Sequence, residues 1–509
     1  MSIKPVNNKP LSISETAKLF NVHVDTLRNW EKKGLIKPLR VGVRGDRKYR
    51  PEDVEKIVDE NIGEIVSEKK SDKMSLTELK QFLWQNANIL RGRIDSGDYK
   101  KYIFGLLFYK RMSDIWDEEY QKALEEYHDK EIAKADFHHR FQVPKDCRWE
   151  VIENQAENIG SKLNNVFEKI TNANQPKLDK IFDELNFANK DIFTNDILQK
   201  LISNFSEYSF GDNYISSDVL GDAYEYLIAK FAEGAGKKGG EFYTPREVEK
   251  VIINILKPEK KDHIMDPTVG SGGFLLEAYS YLKRKESEKI AKSLFLYGQE
   301  INLGTYTIAK INMFLHGLDS ADIRRGDTLA DPQFLNQDGT LKVFDKVVAN
   351  FPYAIKEWHY ELFQTNKFGR LGDYEMPAKK NADYAFILHI IKSLNEKGKA
   401  GIVVPHGVLF KSGVEGRIRE KIIKNDLIEA VISMPSKLFF GVGIPVAILI
   451  LNKNKVKEHK NKIFFIEAEN DYLQGKNQNT LRQQDVDKIV NAFDNYKNID
   501  KYAKVVGIK

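Results

Sequence analysis

A glycine-rich turn between an apolar segment and a helical pattern constrains the fold of this chain more than any other feature. The turn follows the apolar residues 263–265, precedes a helical pattern at residues 277–290, and contains Asp266, Gly270, Ser271, Gly272 and Gly273. Glycines at a strand–turn–helix junction let backbone N–H groups approach a ligand closely. The junction therefore predicts an α/β fold with a Rossmann-like, mostly parallel sheet and a ligand at the carboxyl edge of its strands.

Two later strand-like segments place acidic residues at the same predicted edge. Residues 294–299 lead into Glu300, which lies 27 residues beyond Gly273, close to the position of the ribose-binding acid in doubly wound nucleotide-binding folds. A further segment ends near Asp327, whose carboxylate can accept a hydrogen bond from the amine of a bound adenosine. These residues predict a nucleoside site, for which a nicotinamide or flavin nucleotide is the alternative ligand.

The segment Asn350-Phe351-Pro352-Tyr353 follows the apolar residues 343–349 and begins 84 residues after Asp266. The amide oxygen of Asn350 and the backbone carbonyl of Pro352 can accept hydrogen bonds from an exocyclic amine. They would favour a pyramidal nitrogen whose lone pair attacks a methyl group in line. Asparagine is not a general base, so we expect the proton to leave after methyl transfer. Tyr353 offers a flat ring on which an extruded base can stack.

The glycine turn and the Asn-Phe-Pro-Tyr segment, in this order, are typical of S-adenosylmethionine-dependent amino-methyltransferases. The pairing argues against a nicotinamide or flavin enzyme and favours N6 of adenine as the target. Two alternatives stay open. One is methylation of another planar amine or amide, such as an RNA base or a protein glutamine. The other is a DNA-binding regulator with an inactive methyltransferase body.

Length and composition indicate an intracellular enzyme of several domains. A chain of 509 residues predicts about three domains, and its single cysteine, Cys147, excludes an internal disulfide and fits a reducing compartment. It has no apolar run of about 18 residues and no N-terminal signal core, which predicts a cytoplasmic protein without a membrane segment. The ten histidines show no ligand spacing, so no metal site is expected.

The first 50 residues are strongly basic. They carry twelve Lys and Arg residues against four acidic ones, whereas the whole chain has a net charge of +5, so the other 459 residues sum to −3. A basic head on a near-neutral body predicts an anionic partner for the head.

The head has two predicted helices, at residues 12–20 and 24–31, and a basic hairpin at residues 40–50, followed by a helix from Pro51. Residues 14–17, 27–31 and 47–50 resemble the winged helix-turn-helix of MerR-type regulators and excisionases. In that arrangement the second helix enters the major groove. We therefore expect double-stranded DNA to be bound by Arg28, Arg44, Arg47 and Arg50. A protein-docking module with a solvated basic face is the alternative.

Most of the remaining chain, about residues 74–500, resembles the modification subunit of type I restriction-modification systems. The motifs that carry this resemblance are residues 220–231, 237–246, 383–386, 401–410, 415–419 and 444–449. By this likeness, the methionine end of S-adenosylmethionine is lined by Glu241, Phe242, Tyr243, Thr244, Pro245 and Arg246. The resemblance also implies a specificity subunit and a restriction and translocation subunit as partners, with two modification subunits for each specificity subunit. The family usually has a proline where Phe351 stands here.

The expected domains are a winged helix-turn-helix (1–62), a charged linker (63–73), an all-helical domain (74–210), a catalytic methyltransferase domain (211–470) and a C-terminal helical segment (471–509). Residues 411–417, which include Lys411 and Gly413, are expected to form either a flexible loop against DNA phosphates or a helix-cap turn.

Overall fold

The computed structural model describes residues 10–19, 36–41, 46–50, 73–91, 99–235, 243–439, 445–476 and 478–508, together with residues 24, 27, 28, 31 and 94. The chain forms two compact units, Met1–Ala223 and Tyr224–Lys509. The division lies inside the helix Ser217–Ala235. The predicted domain boundaries at residues 62, 73, 210 and 470 stay predictions.

The N-terminal head contains a small antiparallel sheet and a capped helix. Its strands are β1 (Leu11–Ser12), β2 (Leu39–Val41) and β3 (Asp46–Tyr49), with β3 in the middle. The helix Ile13–Leu19 begins after Ser12, whose hydroxyl accepts a hydrogen bond from the backbone N–H of Glu15 at 3.3 Å, while the Glu15 carboxylate accepts from the N–H of Ser12 at 2.8 Å. This reciprocal cap confirms the predicted start of the first helix.

Two further predicted elements of the head agree with the structure where they are described, whereas the strand β1 was not predicted. Residues 24, 27, 28 and 31 are helical, in line with the predicted second helix. The pairing of β2 with β3 confirms the basic hairpin. The hairpin tip at residues 42–45, which includes Arg44, and the helix predicted from Pro51 lie outside the described residues.

The described residues between 73 and 210 are largely helical, as expected for this part of the chain. Its helices are Leu76–Ile89, Tyr99–Tyr127, Lys130–Ala133, Trp149–Glu153, Ile159–Ala173 and Asn195–Ser206, with 3₁₀ turns at Asp136–His138 and Lys145–Cys147. Its core is rich in aromatic side chains, such as Phe167 and Phe182, whose stacked rings lie 4.5 Å apart. Lys110 and Asp114 form a fully buried ion pair in the longest helix. Both also bond to the backbone of residues 208–210, which ties that loop to the helix.

The second unit is built on a nine-stranded sheet in the order β12-β11-β9-β10-β8-β7-β4-β5-β6. Its strands are β4 (His263–Asp266), β5 (Phe295–Glu300), β6 (Asp322–Arg325), β7 (Phe344–Asn350), β8 (Leu394–Pro405), β9 (Ile428–Ser433), β10 (Val446–Asn452), β11 (Lys462–Glu467) and β12 (Ala503–Gly507). Five of the eight pairings among these strands are parallel, which confirms a mostly parallel sheet. The strand order reverses between β4 and β7, which is where doubly wound folds place a ligand.

Helices cover both faces of this sheet. They are Arg246–Leu256, Gly273–Lys285, Glu288–Ala291, Leu303–Leu315, Tyr360–Gln364, Asp383–Ser393, Gly407–Phe410, Val414–Lys424 and Gln483–Asn495, with a 3₁₀ turn at Lys457–His459. Buried apolar residues form one cluster on each side of the sheet. Among the described residues, no helix combines the length and the apolar character needed to cross a bilayer.

Two local predictions need correction, and one open alternative is resolved. The helix predicted at residues 277–290 begins earlier, at Gly273, and ends at Lys285. The separate short helix Glu288–Ala291 follows, because the Ser287 hydroxyl caps a new helix start by accepting from the N–H of Ile290. The segment 471–509 is not only helical: β12 pairs with β11 and extends the sheet. Gly413 has φ = +72° and precedes the helix Val414–Lys424, so of the two expectations for residues 411–417 the helix-cap turn is observed.

Candidate active site

A single pocket at the carboxyl edge of the sheet collects the loops that follow β4, β5, β6 and β7. Its free volume, counted together with the solvent at its mouth, is about 1030 Å³. Five of its lining residues carry carboxyl groups, and none of the described lining residues is Lys, Arg or His: the acids are Glu249, Asp266, Glu300, Asp327 and Glu357. This lining suits a cationic or neutral ligand and repels a pyrophosphate, which disfavours a nicotinamide or flavin dinucleotide.

The glycine turn leaves no room for side chains at its tip. Gly270 and Gly272 have φ values of +54° and +89°, in the left-handed region that favours glycine. A Cβ at Gly273 would lie 2.0 Å from a carboxylate oxygen of Glu249, and one at Gly272 would lie 2.6 Å from the terminal methyl of Met313. The turn therefore lies close against its neighbours, and Gly270, Ser271 and Gly273 line the pocket at the start of a helix.

Two buried carboxyl groups flank this turn. Asp266 is 1% exposed and accepts a hydrogen bond from the N–H of Thr268 at 3.0 Å. Burial is the main cause that raises its pKa to about 8, and the charge of Glu300 adds to it. Glu300 accepts hydrogen bonds from the N–H groups of Gly270 (3.2 Å) and Asn302 (2.9 Å), which oppose the rise in its pKa caused by burial.

Asp327 is oriented by the turn that follows it. One carboxylate oxygen accepts from the N–H groups of Leu329 (2.8 Å) and Ala330 (3.1 Å), and the other lies 3.5 Å from Nε2 of His359. The buried guanidinium of Arg370 donates to the carbonyl of Thr328 at 3.3 Å. Burial lowers the pKa of Arg370 to about 10 against the opposing charge of Asp327. Asp327 is thus held with its carboxylate at the pocket wall.

Asn350 ends β7 with both ends of its amide held. Its Nδ2 donates to the hydroxyl of Thr244 at 3.0 Å, and its Oδ1 accepts from the hydroxyl of Tyr353 at 2.6 Å. Burial raises the pKa of Tyr353, with a smaller contribution from Asp383, so its hydroxyl stays a donor at physiological pH. Asn350 Oδ1 retains a second lone pair, and Asn350 and Pro352 both line the pocket.

The loop after Asn350 is held in place by contacts with the helix Asp383–Ser393. Phe351 is 1% exposed and stacks on Phe386, with ring centroids 5.0 Å apart. Its aromatic ring therefore packs in the core, and the residues on either side of it, Asn350 and Pro352, line the pocket. Ala354 has φ = +55°, and its N–H donates to the buried carboxylate of Asp383 at 2.8 Å. This bond sets the direction in which the chain leaves the motif.

Comparison with known proteins identifies the family. The model of the N-6 DNA methylases matches residues 215–509, and that of the HsdM N-terminal domain matches residues 79–205. The chain belongs to the N-6 DNA methylase family. In addition, a model of MerR helix-turn-helix regulatory proteins matches residues 11–59 of this methylase.

Relatives narrow the family to methylase subunits of type I restriction enzymes. The MjaVIII methylase subunit of Methanocaldococcus jannaschii is 36% identical over 86% of this chain and 76% of its own length. The MpnII methylase subunit of Mycoplasma pneumoniae is 30% identical over 83% of this chain and 85% of its own length. A crystal structure of a type I restriction-modification system methyltransferase subunit from Streptococcus thermophilus superposes with a TM-score of 0.74 at 29% identity, covering 85% of this chain and 96% of that one.

Most of the residues predicted to bind the cofactor or the target base of this methylase lie in one pocket. The lining of this pocket includes Tyr243, Thr244, Asp266, Gly270, Ser271, Gly273, Glu300, Asp327, Asn350 and Pro352. Pro245 precedes the helix Arg246–Leu256, and Arg246 lies 3.6 Å from Glu225 in an ion pair. Glu241 and Phe242 lie outside the described residues.

Sequence reasoning missed some lining residues, chiefly Glu249, Trp358 and Phe386. Glu249 is 5% exposed, and burial raises its pKa well above the usual range, with Glu225 and Glu277 adding to the rise. The only sequence signal was an acid inside the apolar pattern of residues 248–256. Trp358 and Phe386 lie on elements whose positions depend on the tertiary fold.

Of the four arginines predicted to bind DNA, three are described, and all three are exposed: Arg28, Arg47 and Arg50. Nε of Arg47 lies 2.8 Å from a carboxylate oxygen of Glu31. The hairpin and the helical residue Glu31 are thus joined by an ion pair.

Proposed function

We propose that this protein methylates N6 of an adenine extruded from double-stranded DNA, as the modification subunit of a type I restriction-modification system. The observation that carries the proposal is the Asn350 amide, held at both ends at the sheet's switch point beside the glycine turn. The type I methylase relatives favour this function over methylation of an RNA base or a protein glutamine.

The pocket fits S-adenosylmethionine. Glu300 can accept from ribose hydroxyls, Asp327 from the adenine amine, and the glycine turn lies where the methionine end would contact backbone N–H groups. The described lining holds no Lys, Arg or His side chain that would repel a sulfonium cation. When bound, the cofactor supplies a methyl group on a positively charged sulfur, and the C–S bonding electrons pass to sulfur as N6 takes the methyl.

The protein's contribution to this reaction is positioning. The free lone pair of Asn350 Oδ1 accepts one N–H of the target amine, and the carbonyl of Pro352 accepts the other. Withdrawing both N–H groups from the ring plane directs the nitrogen lone pair toward the methyl group. The Tyr353 hydroxyl polarises and fixes Asn350, and its ring supports the extruded base. None of these groups removes a proton, so the proton passes to solvent after transfer.

Target choice and cleavage belong to partner subunits in this proposal. We infer a specificity subunit that reads the sequence, a restriction and translocation subunit, and two copies of this chain per specificity subunit. The head would add a DNA contact of its own through Arg28, Arg44, Arg47 and Arg50. The match to MerR regulatory proteins and the exposed arginines support that contact.

The test of this proposal is the variant Asn350→Ala, assembled with its specificity partner. Methyl transfer to adenine should fall by at least about 100-fold, as for removal of a positioned transition-state donor or acceptor. Cofactor affinity, measured by calorimetry, should change far less than methyl transfer, because Asn350 contacts the target amine and reaches the cofactor segment through one hydrogen bond to Thr244. The matched control is Asn336→Ala, which removes an exposed amide in the loop before β7.

Near-normal methylation by Asn350→Ala would remove Asn350 from the reaction. Absence of methylated adenine in DNA treated with the wild-type complex would refute the proposed activity itself.

A further inference from the structure

Near the pocket, a large aromatic side chain is exposed to solvent just after the carboxyl end of β8. Phe410 is 72% exposed, at the end of the short helix Gly407–Phe410 that follows β8. Its neighbour Val408 is 3% exposed, so one ring protrudes from an otherwise packed turn. A single exposed phenylalanine is ordinary on a protein surface, so the case for a contact at Phe410 depends on how and where its ring is held.

The turn that carries Phe410 is held rigidly. The carbonyl of Val408 accepts hydrogen bonds from the hydroxyl of Tyr384 (2.7 Å) and from Nη1 of Arg419 (3.2 Å). The same guanidinium donates to the carbonyl of Lys411 at 2.9 Å. The backbone beneath Phe410 is therefore fixed on both sides, and the ring is presented in a defined place.

The same support connects this turn to the target-amine loop. In the register of β7 and β8, Asn350 is paired with Val403, so the two strands end side by side. Asp383 holds the N–H of Ala354, just after the Asn-Phe-Pro-Tyr segment, and the next residue, Tyr384, holds the turn of Phe410. Two consecutive residues at one helix start thus set the spacing between Asn350 and Phe410.

We propose that Phe410 enters the DNA base stack beside the target adenine and fills the space that the extruded base leaves. This inference rests on the proposed function. Extrusion breaks stacking on both sides of the base, and an inserted apolar ring recovers part of that stacking. A protein interface needs a cluster of apolar side chains around its anchor, whereas a wedge needs a single rigid ring. Phe410, with buried Val408 next to it, has the form of a wedge.

The experiment compares Phe410→Ala with wild type, each assembled with its specificity partner, on duplexes with 2-aminopurine at the target position. The fluorescence rise on extrusion should shrink, and methylation of the adenine duplex should slow about tenfold, the worth of one base–aromatic contact. On a duplex with an abasic site opposite the target, the rate should return to within about twofold of wild type, because pairing and part of the stacking are already lost. Phe410→Trp should keep both signals.

Phe137→Ala is the matched control, since Phe137 is 79% exposed but lies in the helical domain, and it should behave as wild type on every duplex. Two outcomes would overturn the role of Phe410: equal base extrusion by Phe410→Ala and wild type, or a methylation defect of the same size on paired and abasic duplexes. In either case, methylation by the wild-type complex would still support the proposed function. Loss of the specificity partner from Phe410→Ala in size-exclusion chromatography would make Phe410 a protein contact and overturn the inference as well. A wild-type complex that methylates no adenine would instead refute the proposed function.

Discussion

Replacing Asp266 with asparagine should stabilise the cofactor-free protein while weakening its binding site. The Asp266 carboxyl is 1% exposed, and its pKa is raised from the ordinary value of 3.8 to about 8. As the pH rises, the unfolded chain therefore releases this proton before the folded chain does. The stability that the neutral carboxyl contributes is fully present below pH 3.8 and is lost progressively up to about pH 8.

The size of this stability change follows from the difference between the pKa of Asp266 in the unfolded and in the folded chain. Each unit of pKa difference is worth about 1.4 kcal/mol, so at pH 7 the cost is on the order of 4 kcal/mol. Asparagine avoids this cost, since it cannot ionise and its amide oxygen can keep the hydrogen bond from Thr268. The unfavourable burial of one new N–H₂ group reduces the net gain to a few kcal/mol.

Hydrogen exchange of β4 and β5, measured by mass spectrometry, reports the opening of this unit directly. We expect the difference in protection between Asp266→Asn and wild type to be small near pH 4 and to grow toward pH 8. Asp338→Asn is the control, because hydrogen bonds from Thr340 lower the pKa of that exposed carboxyl, so its effect should not change between pH 4 and pH 8. A difference between Asp266→Asn and wild type that does not change with pH, or a variant less protected at pH 8, would refute the reasoning.

Three further outcomes test other parts of the molecule. Tyr353→Phe keeps the ring but removes the hydroxyl that donates to Asn350, so methyl transfer should fall by about tenfold or less, the worth of one hydrogen bond, with cofactor affinity in calorimetry unchanged. Gly273→Ala should cost about 1–3 kcal/mol in chemical denaturation and weaken cofactor binding, because the new methyl group meets the Glu249 carboxylate. Gly507→Ala, where a Cβ meets nothing within 4 Å, is its control. Alanine at Arg28, Arg47 and Arg50 together should flatten the log–log salt dependence of nonspecific DNA binding by about 3, at roughly 0.9 per phosphate contact, and an unchanged slope would favour a protein-docking head.

The fold was predictable where local pattern and tertiary position coincide. An apolar segment that ends in an acidic or amide side chain predicts a strand tip, and the structure confirms β4, β5 and β7 with Asp266, Glu300 and Asn350 at their ends. By contrast, β12 was missed because it is a short edge strand with largely exposed side chains, so it has little apolar signal.

The site residues at the strand ends were predictable from the sequence, whereas the residues that hold them in place were less so. The hydrogen bond from Tyr353 to Asn350 depends on a turn and a rotamer that spacing alone does not determine. Burial of Glu249 contradicts the usual exposure of a helix acid and follows from its packing against Gly273. Trp358 and Phe386 reach the pocket from elements that only the tertiary fold places beside it.

The hydrogen bond between Thr244 and Asn350 has a consequence for how the two substrates are bound. Thr244 belongs to the segment assigned to the cofactor, and Asn350 is proposed to receive the target amine, so a shift of either side chain is felt by the other. By this proposal, binding of the cofactor and binding of the target adenine are thermodynamically linked. If bound cofactor raises the affinity for adenine by some factor, bound adenine must raise the affinity for cofactor by the same factor. The enzyme would favour the ternary complex over either binary one, so that a flipped base is retained chiefly when a methyl donor is present.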